Sequence, residues 1–251
     1  MKTLHEFMER MCRFLPCFLE YSAIKAIIRW PRFSLSSYLL VTSMFKSGIR
    51  PATVVDVGAN TGQFAIAASR IFKAAKIYAF EPIPSCAEKL RVLASDASKI
   101  EVYTNAIGDK IDKVDFFVNE YDQASSLLRL NIEGSKHFRN LREKERISVN
   151  IITLDHFFKN KTLVKPVLLK IDVQGAEKDV VAGGKDTLEK VEFVLMETAF
   201  TPMYIGEPSF TEMIEIMKAN DFSFIRPVGF LKSPKNGEIL QADILFKKSG
   251  A

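Results

Sequence analysis

The sequence predicts an α/β fold: a doubly wound, mostly parallel seven-stranded sheet that ends in an antiparallel C-terminal hairpin, preceded by N-terminal helices. Three observations carry this. From Ala52 onward, strand-like and helix-like segments alternate, which implies a parallel sheet with right-handed crossovers. Runs such as VLLKI and FVLM are almost continuously apolar, as strands covered on both faces are. The C-terminal segments SFIRPVGF and EILQADILFKK read as two strands around Pro234-Lys235-Asn236-Gly237, a known way to finish such a sheet.

Taken in order, residues 4–30 read as one or two helices interrupted at Pro16, and Trp30-Pro31 ends them. Ser36 then reads as the N-cap of the helix SYLLVTSMFKS, which Gly48 and Pro51 close. This divides the chain into an N-terminal helical extension, 1–50, and a main domain, 51–251. Within the domain, strands are predicted at 53–58, 76–81, 100–107, 166–173 and 192–198, and helices at 62–73, 84–95, 176–190 and 209–219. VDFFVN (114–119) and RISVNIITL (146–154) read as added strands with a polar stretch between them.

Hydrophobic residues make up 47% and charged residues 26%, which places the chain among ordinary globular proteins rather than disordered ones. No segment offers the roughly 18 uninterrupted apolar residues of a membrane span; the best, FLPCFLEYSAIKAII, is broken by Pro16, Glu20 and Lys25. MKTLHEFMERMCRFLP mixes acids and bases where a secretory signal needs an apolar run. Cys12, Cys17 and Cys86 are too few for a disulfide framework, and Cys12 and Cys17 lack a second pair to complete a zinc site, so reduced thiols and a cytoplasmic location are expected. Residues 1–50 hold eight Lys/Arg against three acids, the whole formal excess of +5. The remainder is neutral, which argues against a duplex-binding face on the domain. The basic N-terminus reads either as a solvated helical face or as a contact for an anionic membrane surface.

The turn VVDVGANTGQF, Val54 to Phe64, lies at the carboxyl end of the first strand, where open α/β sheets bind ligands. Gly58 suits a sharp turn and a close approach of ligand to backbone, and Gly62 suits close packing as the helix begins. A phosphate loop needs a different glycine spacing and a lysine, both missing here. A dinucleotide fingerprint needs a glycine where Asn60 stands, and Asp56 would repel its phosphates. S-adenosylmethionine carries a sulfonium and an ammonium group, so an acid at the strand end attracts it; Asp56 makes this ligand the best fit. Glu81 ends the second strand, 25 residues after Asp56, where a carboxylate can accept from both ribose hydroxyls. Pro82 stops that strand. Asn105 and Ala106 after the third strand are placed to line an adenine slot, although Asn105 also suits a plain turn. The cofactor-binding set is thus Asp56, Gly58, Ala59, Asn60, Gly62, Glu81, Pro82, Asn105, Ala106 and Asp172.

DVGANTGQF, FEPIP, NAIGD, SSL, TLDHF and LKIDVQGAE, in this order, make residues 37–246 resemble the FkbM family of S-adenosylmethionine-dependent methyltransferases. The resemblance implies a class I methyltransferase (Rossmann-like) fold and methyl transfer to a hydroxyl oxygen, commonly of a saccharide, glycolipid or natural product. One position departs from the family pattern: D-V-E-G-x-E reads Asp172-Val173-Gln174-Gly175-Ala176-Glu177 here, and Gln174 is neither a base nor a charged metal ligand. The sequence supports no metal site.

A hydroxyl acceptor benefits from a base that removes its proton. Asp172, at the end of the fourth strand of the alternating series, is the first candidate, as base or acceptor positioner. Glu197, at the end of the fifth, is second. Glu177 is third, against a plain reading as an acid at a helix N-terminus. His156 reads as structural. The segment LRLNIEGSKHFRNLREKERI reads as a lid bearing His137 as a further base candidate, with Arg129, Lys136 and Arg139 either meeting an anionic acceptor or lying on a solvated face. No N-P-P-Y turn follows the fourth strand, which argues against methylation of nucleic-acid amines. Two other readings stay open: a non-catalytic cofactor-binding or membrane-surface protein, and a nicotinamide-dependent oxidoreductase.

Overall fold

The computed structural model describes residues 26, 30, 33–95, 99–119, 125–131 and 143–250. Apart from Ala26, which is helical, and Trp30, the helices expected over 4–30 lie outside the described residues, as do Cys12, Cys17 and His137 with its neighbours Lys136 and Arg139. Among the described residues, the first full element is α1 (Leu35–Lys46), followed by β1 (Thr53–Val57), α2 (Gln63–Ile71), β2 (Lys76–Phe80), α3 (Pro84–Ala94) and β3 (Ile100–Tyr103). Next come β4 (Ala106–Ile107), β5 (Asp112–Asn119), β6 (Glu143–Ile152) and α4 (Leu154–Phe158). The last part is β7 (Val167–Ile171), α5 (Glu177–Ala182), α6 (Lys185–Leu188), β8 (Phe193–Ala199), α7 (Phe210–Ala219), β9 (Phe222–Lys232) and β10 (Ile239–Lys248).

Seven strands form the main sheet in the order β3-β2-β1-β7-β8-β10-β9. β3, β2, β1, β7 and β8 are parallel; β10 runs antiparallel between β8 and β9. This is the predicted doubly wound sheet with its antiparallel finish. Strand order reverses at β1 and β7, so the crevice for a ligand opens above their carboxyl ends.

The period of two along each strand sorts the core into two layers. Val54, Ile77, Leu168, Leu195 and Leu245 face α1 and α2, where Val41, Met44, Phe64 and Ala68 meet them. Val55, Val57, Phe80, Leu169, Ile171, Met196 and Phe246 face the other side, against Leu154 and Phe158 of α4, Val180 of α5 and Met213 of α7. Asp56, Lys170, Asp172, Glu197, Gln241 and Asp243 share the parity of the α1/α2 face. Registers Asp56↔Lys170 and Asp243↔Glu197 set them side by side at the strand tips.

Three sequence expectations change. The segment 100–107 is two strands, not one: the chain leaves the main sheet after Tyr103, and Ala106–Ile107 pair with Ile151–Ile152 in a second sheet ordered β4-β6-β5. The two added strands therefore build a separate sheet. The helix expected over 176–190 breaks at Gly183-Gly184, a dipeptide of low helix propensity; a Cβ on Gly183 would lie 2.0 Å from the Gly108 carbonyl oxygen, so this break lets the second sheet dock. The first described helix is capped by Ser34 rather than Ser36, because Ser34 Oγ accepts from Ser37 N at 3.3 Å. That helix, placed by sequence in the extension, packs against α2 and buries Val41 and Met44 completely.

Candidate active site

A cavity of about 690 Å³ lies above the strand tips at the switch point. Its first wall is the β1–α2 turn, with Gly58, Ala59, Asn60 and Gln63. Gly58 has φ +83°, and a Cβ there would stand 1.8 Å from the Asp172 carbonyl oxygen. The close approach that demands glycine is thus between the turn and the end of β7, whereas the sequence expects it between the turn and a ligand. Gly62 (φ +94°) begins α2 within 2.3 Å of where Leu90 of α3 would meet a Cβ, the close packing predicted. It does not line the cavity. Asn60, at φ 47°, bonds its own turn: its Oδ1 accepts from Thr61 N at 2.6 Å.

The second wall comes from Phe80, Glu81, Pro82 and Ile83. Glu81 is buried, and each carboxylate oxygen accepts one backbone N–H, Asn60 N at 2.8 Å and Ile83 N at 2.9 Å. These two bonds hold the carboxylate in one orientation while leaving lone pairs for a diol. Burial nevertheless pushes its pKa up to about 7. Asn105, Ala106 and Ile107 complete this side, because the chain crosses from one sheet to the other here. Glu81, Ile83 and Ile107 could hold an adenosine moiety, the carboxylate offering acceptors for a ribose diol and the two isoleucines an apolar slot for a base.

The third wall is charged. Lys170, within the fully buried strand VLLKI, sets its Nζ 3.3 Å from Asp56 Oδ1 and 3.2 Å from Asp172 Oδ2. Burial opposes its charge, but the two carboxylates outweigh burial and raise its pKa above the usual value. Asp56 is fully buried and does not line the cavity; its charge is met by Lys170 rather than presented to a ligand. Burial raises the Asp56 pKa despite that partner.

Gln174 is the hub of this wall. Its Nε2 donates to Asp172 Oδ1 at 2.8 Å and to Glu197 Oε2 at 2.7 Å, and its Oε1 accepts from Tyr204 Oη at 3.1 Å. Its φ is 59°, and its carbonyl accepts from Ser126 Oγ at 2.6 Å. The SSL motif thus clamps the loop after β7. Where the sequence reads Gln174 as a lost carboxylate, the structure shows an amide joining two others. Burial raises the Glu197 pKa well above its ordinary value, with Asp172 and Asp243 adding to it. Among the described residues, no three His, Cys, Asp or Glu side chains are grouped to hold a metal ion.

Glu177, the third catalytic candidate, is buried outside the cavity lining. Its Oε1 accepts from Val173 N at 3.2 Å and Gly175 N at 3.1 Å, so it holds the loop that carries Gln174. Burial pushes its pKa up to about 8. His156 is exposed on α4, and Arg129 is exposed over the Phe117 ring at 5.3 Å; neither lines the cavity. Sequence reasoning misses Lys170, Tyr204, Gln241 and Asp243. Lys170 left a signal, since it is a charge inside the otherwise apolar strand VLLKI.

A methyltransferase FkbM domain matches residues 56–224 of the 251, covering the glycine turn, the Glu81 wall and the Gln174 hub. The chain belongs to the FkbM methyltransferase family. As an FkbM methyltransferase it uses S-adenosylmethionine. Its sequence is 28% identical over 198 residues to the 2-O-methyltransferase NoeI of Sinorhizobium fredii (strain NBRC 101917 / NGR234), covering 76% of this chain and 80% of that protein. Solved structures are more distant. Magnesium protoporphyrin IX methyltransferase of Synechocystis PCC 6803, with bound S-adenosylmethionine, has 12% identity and a TM-score of 0.49 over 85% of this chain and 78% of that one. A methyltransferase from Aquifex aeolicus has 10% identity and a TM-score of 0.45 over 85% and 92%.

Proposed function

We propose that this FkbM methyltransferase methylates a hydroxyl oxygen of a saccharide or similar polyhydroxylated acceptor, with Glu197 as the base and Asp172 as the positioning carboxylate. The carrying observation is the Asp172–Gln174–Glu197 bridge at the cavity wall. Both Asp172 oxygens are engaged, one by Gln174 and one by Lys170. Glu197 accepts from Gln174 through Oε2 only, which leaves Oε1 without a donor among the described residues. A carboxylate with one unengaged oxygen and a raised pKa takes a hydroxyl proton more readily than one held by an ammonium. S-adenosylmethionine supplies the electrophilic methyl group. Holding the acceptor oxygen in line with it provides much of the acceleration, and this is the work of Asp172 and Gln174. The name of the relative NoeI, a 2-O-methyltransferase, supports a hydroxyl acceptor.

The test is labelled-methyl transfer from the cofactor to glycan fractions of a cell extract. Glu197→Gln should lower kcat by about 10²–10⁴-fold, the usual worth of a general base, while S-adenosylhomocysteine still binds. An unchanged kcat in that variant would remove Glu197 from the role.

A further inference from the structure

The β10 strand brings two acceptor groups into the cavity that the cofactor walls do not use. Gln241 is 2% exposed, lines the cavity and has no hydrogen-bond partner on its Oε1. Burying an amide oxygen unpaired costs about 1–3 kcal/mol, so such an atom on a residue that lines a ligand cavity is a candidate acceptor for a donor from the ligand. Two residues along the same strand face, Asp243 also lines the cavity, opposite Glu197 in register. Its carboxylate lies over Gly229 of β9, where a Cβ would come within 2.3 Å of Oδ2, and no donor among the described residues bonds it. Lys170, the only ammonium lining this cavity among the described residues, is already shared by Asp56 and Asp172. Leu40 of α1 and Leu231 of β9, the register neighbour of Gln241, also line the cavity and offer apolar surface suited to the C–H face of a sugar ring.

We propose that Gln241 and Asp243 form the acceptor subsite and select an uncharged, hydroxyl-bearing sugar unit over one that carries a carboxylate or phosphate. Hydroxyls adjacent to the methylated one donate to Gln241 Oε1 and Asp243. An anionic sugar would meet the Asp172 and Asp243 carboxylates, with Lys170 already engaged by Asp56 and Asp172, an unfavourable like-charge contact in a site partly shielded from water. The inference rests on the methyl-transfer reading above.

The experiment is to incubate the full chain with radiolabelled S-adenosylmethionine and glycan fractions of a cell extract, hydrolyse the labelled products to monosaccharides, and separate these by anion exchange. Label on neutral methylated sugars is the expected result. Label on uronic acids or sugar phosphates overturns the subsite while leaving methyl transfer intact. No label in any fraction, with S-adenosylhomocysteine bound normally, overturns the methyl-transfer reading and the subsite with it. Asp243→Asn and Gln241→Met, assayed on the labelled fraction, should raise the acceptor KM about tenfold or more, the loss expected from one hydrogen bond involving a buried polar or charged group. Their S-adenosylhomocysteine Kd should stay within twofold, which also reports that each variant is folded. An unchanged KM in both, or an equal loss of cofactor affinity, would sink the assignment.

Discussion

Two glycines in one turn show how differently the same residue can be constrained. Gly58 stands against a backbone carbonyl, Gly62 against the tip of a leucine side chain. Gly58→Ala must displace the end of β7, which carries Asp172, and also adopt a left-handed φ; a loss of about 3 kcal/mol or more is expected, with loss of cofactor binding. Gly62→Ala meets only Leu90 Cδ1, which can swing away, so about 1–2 kcal/mol is expected, mostly from the backbone. Urea denaturation of both variants measures the gap, and equal losses would contradict the packing described. The acid at Glu81 was legible because a strand-end carboxylate after a glycine turn has few other uses. Lys170 was not assigned because VLLKI reads as an almost continuously apolar buried strand. Its reason appears only when Asp56 lies beside it in register.

At the scale of elements, α1 decides whether the cavity has a roof. Met44 is fully buried between α1 and the sheet, and Arg226 of β9 reaches Ser43 and Ser47 at 3.0 and 2.9 Å. Met44→Ala should destabilise the fold by about 2–5 kcal/mol, the range for a core truncation of this size. A change below 1 kcal/mol on thermal or urea unfolding would mean that α1 is peripheral. Arg226→Ala removes only part-exposed hydrogen bonds and is expected to cost less. The β strands of the main sheet were predicted within a residue or two because their apolar runs are continuous. The crossing from β3 to β4 was not, since Asn105 is the one turn-forming residue in IEVYTNAI and is also read as lining the ligand slot; the pairing of Ala106–Ile107 with β6 divides the segment.

For the whole molecule, the buried acids set the response to pH. Asp56, Glu81, Glu177 and Asp243 all have pKa values raised by burial, to about 7 for Glu81, about 8 for Glu177 and about 6 for Asp243. A raised folded pKa means that the folded chain binds more protons than the unfolded one. Stability is therefore full below the ordinary carboxylate range and falls as pH rises toward about 8. The ligand-free Tm should drop between pH 5 and pH 9. Glu177→Gln, which keeps an oxygen for Val173 and Gly175, should flatten the decline by on the order of 3–5 kcal/mol. A Tm that rises over this interval, or a variant that tracks the wild type, would count against the burial of these acids. S-adenosylhomocysteine at a hundred times its Kd should stabilise the chain by about 2.7 kcal/mol, and Glu81→Ala should abolish most of that shift in differential scanning fluorimetry.

The sequence by itself determined the alternation of strands and helices, the antiparallel finish, the glycine turn and the strand-tip carboxylates. Those are properties of local periodicity and of residues whose chemistry has few structural alternatives. Only the tertiary structure decided which carboxylates share a wall, that Lys170 neutralises Asp56, that Gln174 joins Asp172 to Glu197, and that β10 sends Gln241 and Asp243 into the same cavity. Strands far apart in the chain become neighbours through hydrogen-bond register, and register is a long-range property that no window of residues contains.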